Sequence, residues 1–101
     1  AERAGRIATV AGETGEGALQ FQADILREQS RWQAAGDLYE QVLTINPQRA
    51  EAMRGLALTL EGQGRNQEAV KQWRAYLQQA PRGPYADEAR EHLRRLRPAT
   101  G

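Results

Sequence analysis

The residues best equipped for chemistry stand near the C-terminal end. Glu88 lies one helical turn before His92, the only histidine in the chain. Together they offer two metal ligands on one helix face, short of the three or four that a zinc site needs, so His92 reads as a partly exposed, hydrogen-bonded side chain. Cysteine is absent, which removes disulfides, thiolate catalysis and cysteine-based zinc sites but does not fix a compartment. Ser30 is the only serine, and no histidine base accompanies it as a nucleophile would require. Helix capping accounts for it instead. The paired carboxylates Asp87 and Glu88 sit where a helix dipole favours negative charge, so acid–base work is not needed to explain them.

Two further stretches suggest ligands and fail on inspection. The segment GETGEG, Gly12 to Gly17, is rich in glycine like a phosphate loop. It lacks the Gly-Lys-Ser/Thr ending and a preceding strand, and reads as a connector. Arg90, Arg94, Arg95 and Arg97 form a basic cluster, but Glu88 and Glu91 interleave with them and no aromatic platform is present. A solvated helix face accounts for them better than RNA binding. The expectation is therefore no catalytic residues, no cofactor, no metal and no nucleic acid, and the chain reads as a non-enzyme.

Composition agrees. The chain has 101 residues, 40% hydrophobic and 27% charged, with a net charge of +1. That suits a single charged, helical domain with one modest core, and nothing global draws it to nucleic acid or anionic membrane. No apolar run approaches the ~20 residues of a membrane helix, so direct membrane insertion of this segment is not expected. The first residues lack the apolar core of a secretory signal. The chain opens on Ala1 rather than methionine, which suggests an excised or mature fragment. Usage rich in alanine, arginine and glycine points to a high-GC bacterium.

What must position these side chains is a repeat. Pro47 and Pro81 are 34 residues apart. At the same shift Ala18, Ala52 and Ala86 align, Ala23 meets Ala57, and Leu26 meets Leu60. Gln29 meets Gln63, Arg31 meets Arg65, Gln33 meets Gln67, Ala35 meets Ala69, Leu43 meets Leu77, and Tyr39 meets Trp73. Apolar residues recur at helical spacing in Leu19, Ala23 and Leu26, in Met53, Leu56, Ala57 and Leu60, and in Ala69, Trp73, Tyr76 and Leu77. Ser30 to Gln33 is read as a capping box, Gly64 as a left-handed helix stop, and Asn46 and Asn66 as helix N-caps. Pro47 then sits in a first turn that needs no amide donor. Small residues at Ala57 and Ala69 predict close helix approach, with Trp73 as the bulky anchor beside them.

A 34-residue helix–turn–helix period is that of the tetratricopeptide repeat, and the residues resemble that family. Its second-helix pattern of alanine, aromatic and proline appears as Ala35, Tyr39, Pro47 and again as Ala69, Trp73, Pro81. Its first-helix pattern is weaker: Leu56–Ala57 has only Gln22–Ala23 as counterpart, and Leu26 and Leu60 replace an aromatic. The resemblance spans about residues 16 to 97. It implies an all-α piece of right-handed solenoid, with repeats at 16–49 and 50–83, a capping helix at 84–97 and a tail at 98–101. In that helix Ala86, Ala89, Leu93 and Leu96 form the apolar stripe. Residues 1–15 stay open. Ala4, Ile7, Ala8 and Ala11 lie at helical spacing, so 2–11 read either as the second helix of a degenerate earlier repeat, as a flexible tail, or as a segment packed into a neighbouring molecule.

The resemblance also implies a function. Family members hold an extended peptide or a helix of another protein on a concave face lined by first helices. Alignment carries that face to Gln20, Asp24, Arg27 and Glu28 in the first repeat. The second contributes Glu51, Arg54, Leu58 and Glu61, and the closing helix Tyr85, Glu88 and His92. The chaperone-binding branch grips a terminal carboxylate with lysines and asparagines here. Gln20, Asp24, Arg54 and Leu58 stand at those places and argue against that ligand. The PYADEA segment resembles bacterial envelope proteins, which implies a pilus, secretion or cell-envelope assembly. The alternative is a homo-oligomerisation domain with a purely structural role.

Overall fold

In this computed structural model residues 15–96 are described; the alternatives for 2–11 and the tail at 98–101 lie outside the described residues. Among the described residues five helices follow one another, α1 (Glu16–Glu28), α2 (Trp32–Ile45), α3 (Ala50–Gly62), α4 (Asn66–Gln79) and α5 (Ala86–Leu96). The described residues contain no strand, so the all-α expectation holds. Each helix packs on the next, and α1 also touches α3. Two helical hairpins, α1–α2 and α3–α4, thus stack one on the other, and α5 packs on α4.

The two hairpin turns are built alike. After α1, the Arg31 amide donates to the Leu26 carbonyl and the Ser30 amide to Arg27. After α3, the Arg65 amide donates to Leu60 and the Gly64 amide to Glu61. This bond pattern needs a left-handed residue just past the helix. Gly64 takes it at φ 77°, as expected from sequence, and Ser30 takes it at φ 61°.

That use of Ser30 corrects the capping box. Only three residues separate α1 from α2, and Ser30 is consumed in ending the first helix, so Arg31 stands at the N-cap without a side-chain cap bond. Asn66 is likewise the first helical residue rather than the cap, which is Arg65. Asn46 does not cap α3 either. It ends α2 in an extended conformation, and its Oδ1 accepts the Gln48 amide at 3.1 Å, holding a turn. Pro47 lies inside that turn, and α3 begins only at Ala50, after Arg49. The proline therefore shapes the link between hairpins and is not part of the first turn of α3.

The core sits where small residues oppose large ones. Ala23, Ala35, Ala57 and Ala69 are fully buried, as are Tyr39, Val42 and Trp73. Between the hairpins α2 presses its aromatics onto glycines of α3. A Cβ on Gly55 would meet the Tyr39 ring at 2.3 Å, and one on Gly62 would meet the Trp32 indole at 2.5 Å. Neither distance is possible for real atoms, so both glycines are needed for this approach. On α5, Ala86 and Ala89 are buried while Leu93 and Leu96 pack against the core's edge. Tyr76 reaches past α4 to steady the connection to α5, its hydroxyl accepting the Tyr85 amide at 3.0 Å.

Candidate protein-interaction surface

First helices α1 and α3, with the start of α5, share one side of the stack. Gln20, Asp24, Glu51, Arg54 and Tyr85 meet there with Arg49 around a cleft of about 190 Å³. Five of the eleven residues expected to line the inner face are thus brought together. The cleft is strongly polar, and its charges are paired within the chain.

Arg54 makes a two-pronged pair with Glu88, Nε to Oε1 at 3.0 Å and Nη2 to Oε2 at 3.2 Å. Its guanidinium also lies over the Tyr85 ring, 4.0 Å from the centroid. Parallel hydrogen bonds and a cation over an aromatic face both fix the guanidinium plane. Arg54 and Glu88 are 34 residues apart, so this pair joins the same position on α3 and α5.

Arg49 is the residue that sequence reasoning missed. Standing between Pro47 and α3, it sends Nη1 to Glu16 and Nη2 to Glu51, each at 3.2 Å, and Nε to Gln20 Oε1 at 3.2 Å. Asn46 Nδ2 donates to the same Glu16 at 3.0 Å. The link between hairpins is thereby tied back to α1. Selection by helix position stopped at the start of α3 and passed over Arg49; its place two residues before Glu51 was the available signal.

Other expected residues are engaged beneath the cleft. The Tyr39 hydroxyl donates to Asp24 at 2.5 Å and accepts from Arg27 Nε at 3.0 Å. Burial pushes the Tyr39 phenol above its ordinary value, and the bond to Asp24 pushes the same way. For Arg27, burial opposes the charge, but the Tyr39 bond and the nearby Asp24 and Glu28 outweigh it, and the guanidinium is held above its ordinary value. One repeat on, Glu61 accepts the Trp73 indole N–H at 2.6 Å and lies 2.6 Å from His92 Nδ1. The His92 ring packs on the Trp73 ring, centroids 4.6 Å apart. Glu88 is 3.8 Å from His92 Nε2. Glu61 and His92 therefore position the anchor aromatic. Leu58 is half-buried, and Glu28 is exposed at the end of α1.

Among the described residues no group of three or more His, Cys, Asp or Glu side chains could hold a metal ion, and no helix is long and apolar enough to cross a membrane. No curated protein matches the chain. The family model described as tetratricopeptide repeat matches residues 22–84, more than half of the chain. Modules of this kind generally mediate protein–protein interaction. The paired helical hairpins, the 34-residue register and this match agree, and the chain belongs to the tetratricopeptide repeat family.

Proposed function

We propose that the cleft between α1, α3 and the start of α5 holds an extended peptide or helix of a partner protein, so that the domain acts as a scaffold or adaptor. The observation that carries this reading is the convergence of Gln20, Asp24, Glu51, Arg54 and Tyr85, from three elements, on one polar hollow of about 190 Å³. Such a surface suits backbone hydrogen bonding to a peptide, with the Tyr85 ring and the Leu58 edge for apolar contact. Arg49 and Arg54 already face Glu16, Glu51 and Glu88. An acidic chain terminus would have to displace those carboxylates, so a neutral or mixed-charge segment is favoured. For the setting, the PYADEA segment supports a bacterial pilus, secretion or cell-envelope assembly.

Peptides selected from a random display library test the reading. Binding should weaken at least about tenfold, or ~1.4 kcal/mol, in Arg54→Glu and in Leu58→Asp. Unchanged affinity in both variants would place the interaction elsewhere.

A further inference from the structure

The outer faces of α2 and α4 carry opposite charge at equivalent places. At a shift of 34, Asp37 corresponds to Lys71 and Glu40 to Arg74. All four side chains are exposed. Several other exposed charges are paired within the chain: Arg65 with Glu68 at 2.6 Å, Arg90 with Asp87 at 3.2 Å and Arg94 with Glu91 at 2.8 Å. Among the described residues Asp37, Glu40, Lys71 and Arg74 make no ion pair within the chain. Asp37 accepts only a neutral donor, the Gln33 side-chain amide at 3.0 Å.

The acidic side also has depth. A hollow of about 190 Å³ lies beside Asp37 and Glu40, lined by Gly36, Leu56 and Leu60. It has room for the aliphatic stems of lysine and arginine, with their charged heads at the two carboxylates. Arg65 stands at the same hollow but is held by Glu68.

Reversed signs at equivalent positions make this face complementary to itself. As repeat equivalents in stacked hairpins, α2 and α4 run the same way. A two-fold axis parallel to them, between the two charged patches, lays α2 of one copy against α4 of another. Asp37 then meets Lys71 and Glu40 meets Arg74, and the same pairs form again across the axis. A two-fold axis across the helices would instead set α2 on α2, with like charges opposed. A foreign partner with one sign of charge would satisfy only half of the face.

We propose that two copies of this chain pair through the α2–α4 face, with Asp37 and Glu40 of one copy against Lys71 and Arg74 of the other. The interface is polar, so association is weak, oriented by charge and sensitive to salt. It shares no residue with the cleft at Arg54 and Tyr85, and goes beyond the holding of a peptide.

The test is a charge exchange in the full chain, read by sedimentation over a concentration series. The unchanged chain should form a dimer whose dissociation constant rises at least about threefold on going from about 0.05 to about 0.5 M salt. One variant, Asp37→Lys with Glu40→Arg, makes both helices basic. The other, Lys71→Asp with Arg74→Glu, makes both acidic. Each alone should dissociate at least about tenfold more readily. Mixed one to one, they should regain the original affinity to within about threefold, since each basic face again meets an acidic one. A monomer at every concentration up to about 1 mM overturns the proposal. So do variants that still dimerise alone, and a mixture that stays monomeric. A dimer abolished only by Phe21→Asp, at the exposed ring of α1, places the contact on another face and overturns it as well.

Discussion

Glu61 accepts the indole N–H of Trp73 at 2.6 Å, twelve residues along the chain. Thirty-four positions earlier, at the place of Glu61, Arg27 donates to Tyr39 across the same twelve-residue gap at 3.0 Å. Both hairpins fasten a second-helix aromatic to a first-helix charge. The donor sits on opposite sides in the two cases, because a phenol oxygen accepts and an indole N–H only donates. Two residues expected on the open face are thus spent inside it, holding the rings that set the helix spacing.

Trp73 should therefore respond to two separable losses. Trp73→Phe keeps most of the ring but removes the indole donor to Glu61, which is left with His92 as its partner, and about 1–2 kcal/mol of stability should go. Trp73→Ala also leaves a cavity and should cost about 3–5 kcal/mol. Urea unfolding reads both. An alanine variant losing less than about 1 kcal/mol would contradict the anchor role.

The glycines of the two packed helices predict opposite signs. Gly55→Ala places a methyl 2.3 Å from the Tyr39 ring. The overlap should cost about 1–3 kcal/mol and outweigh the ~1 kcal/mol gained in helix propensity. At Gly36 the new methyl meets Thr59 at an ordinary 3.5 Å, so Gly36→Ala should be neutral or stabilising by up to ~1 kcal/mol. Thermal melting that ranked the two variants the other way would refute the packing described.

Ser30 offers a gain. It holds φ 61° without being glycine, where the matching turn uses Gly64. Ser30→Gly should add about 0.5–1 kcal/mol by relieving the left-handed strain. A lower Tm would show that the serine side chain contributes something its backbone does not.

Tyr39 gives a pH dependence. Its phenol, buried and bonded to Asp24, is held above the ordinary value of 10.0. The unfolded chain loses this proton near that value while the folded chain keeps it. The contribution is thus complete below pH about 10 and lost as pH rises through the folded value. Denaturation midpoints should fall in alkali, and Tyr39→Phe should flatten that fall while lowering stability at neutral pH. An equally steep alkaline fall in Tyr39→Phe would remove Tyr39 as its source.

The repeat was legible because its markers are steric. Alanine at 35 and 69, aromatics at 39 and 73, and prolines at 47 and 81 announce where helices approach and where they part. Gly64 was legible for the same reason. The caps were misread because Ser30 and Asn46 have side chains fit for capping, while turn length and the demand for a left-handed residue decided their use. Sequence columns placed Gln20, Arg54 and Glu88 on one side of the stack. They did not show that Arg54 would clasp Glu88, since pairing across helices depends on their separation. Arg49 escaped because it belongs to a link and gains its partners only when α1 and α3 are brought together.

The proposed binding of partners on the α1–α3 side can be read residue by residue. The direct measurement is amide chemical-shift mapping on adding a library-selected peptide. Shifts should concentrate at Gln20, Asp24, Glu51, Arg54 and Tyr85. Shifts concentrated instead at the separate hollow lined by Gln33, Asp37, Glu40 and Gln63 would contradict it.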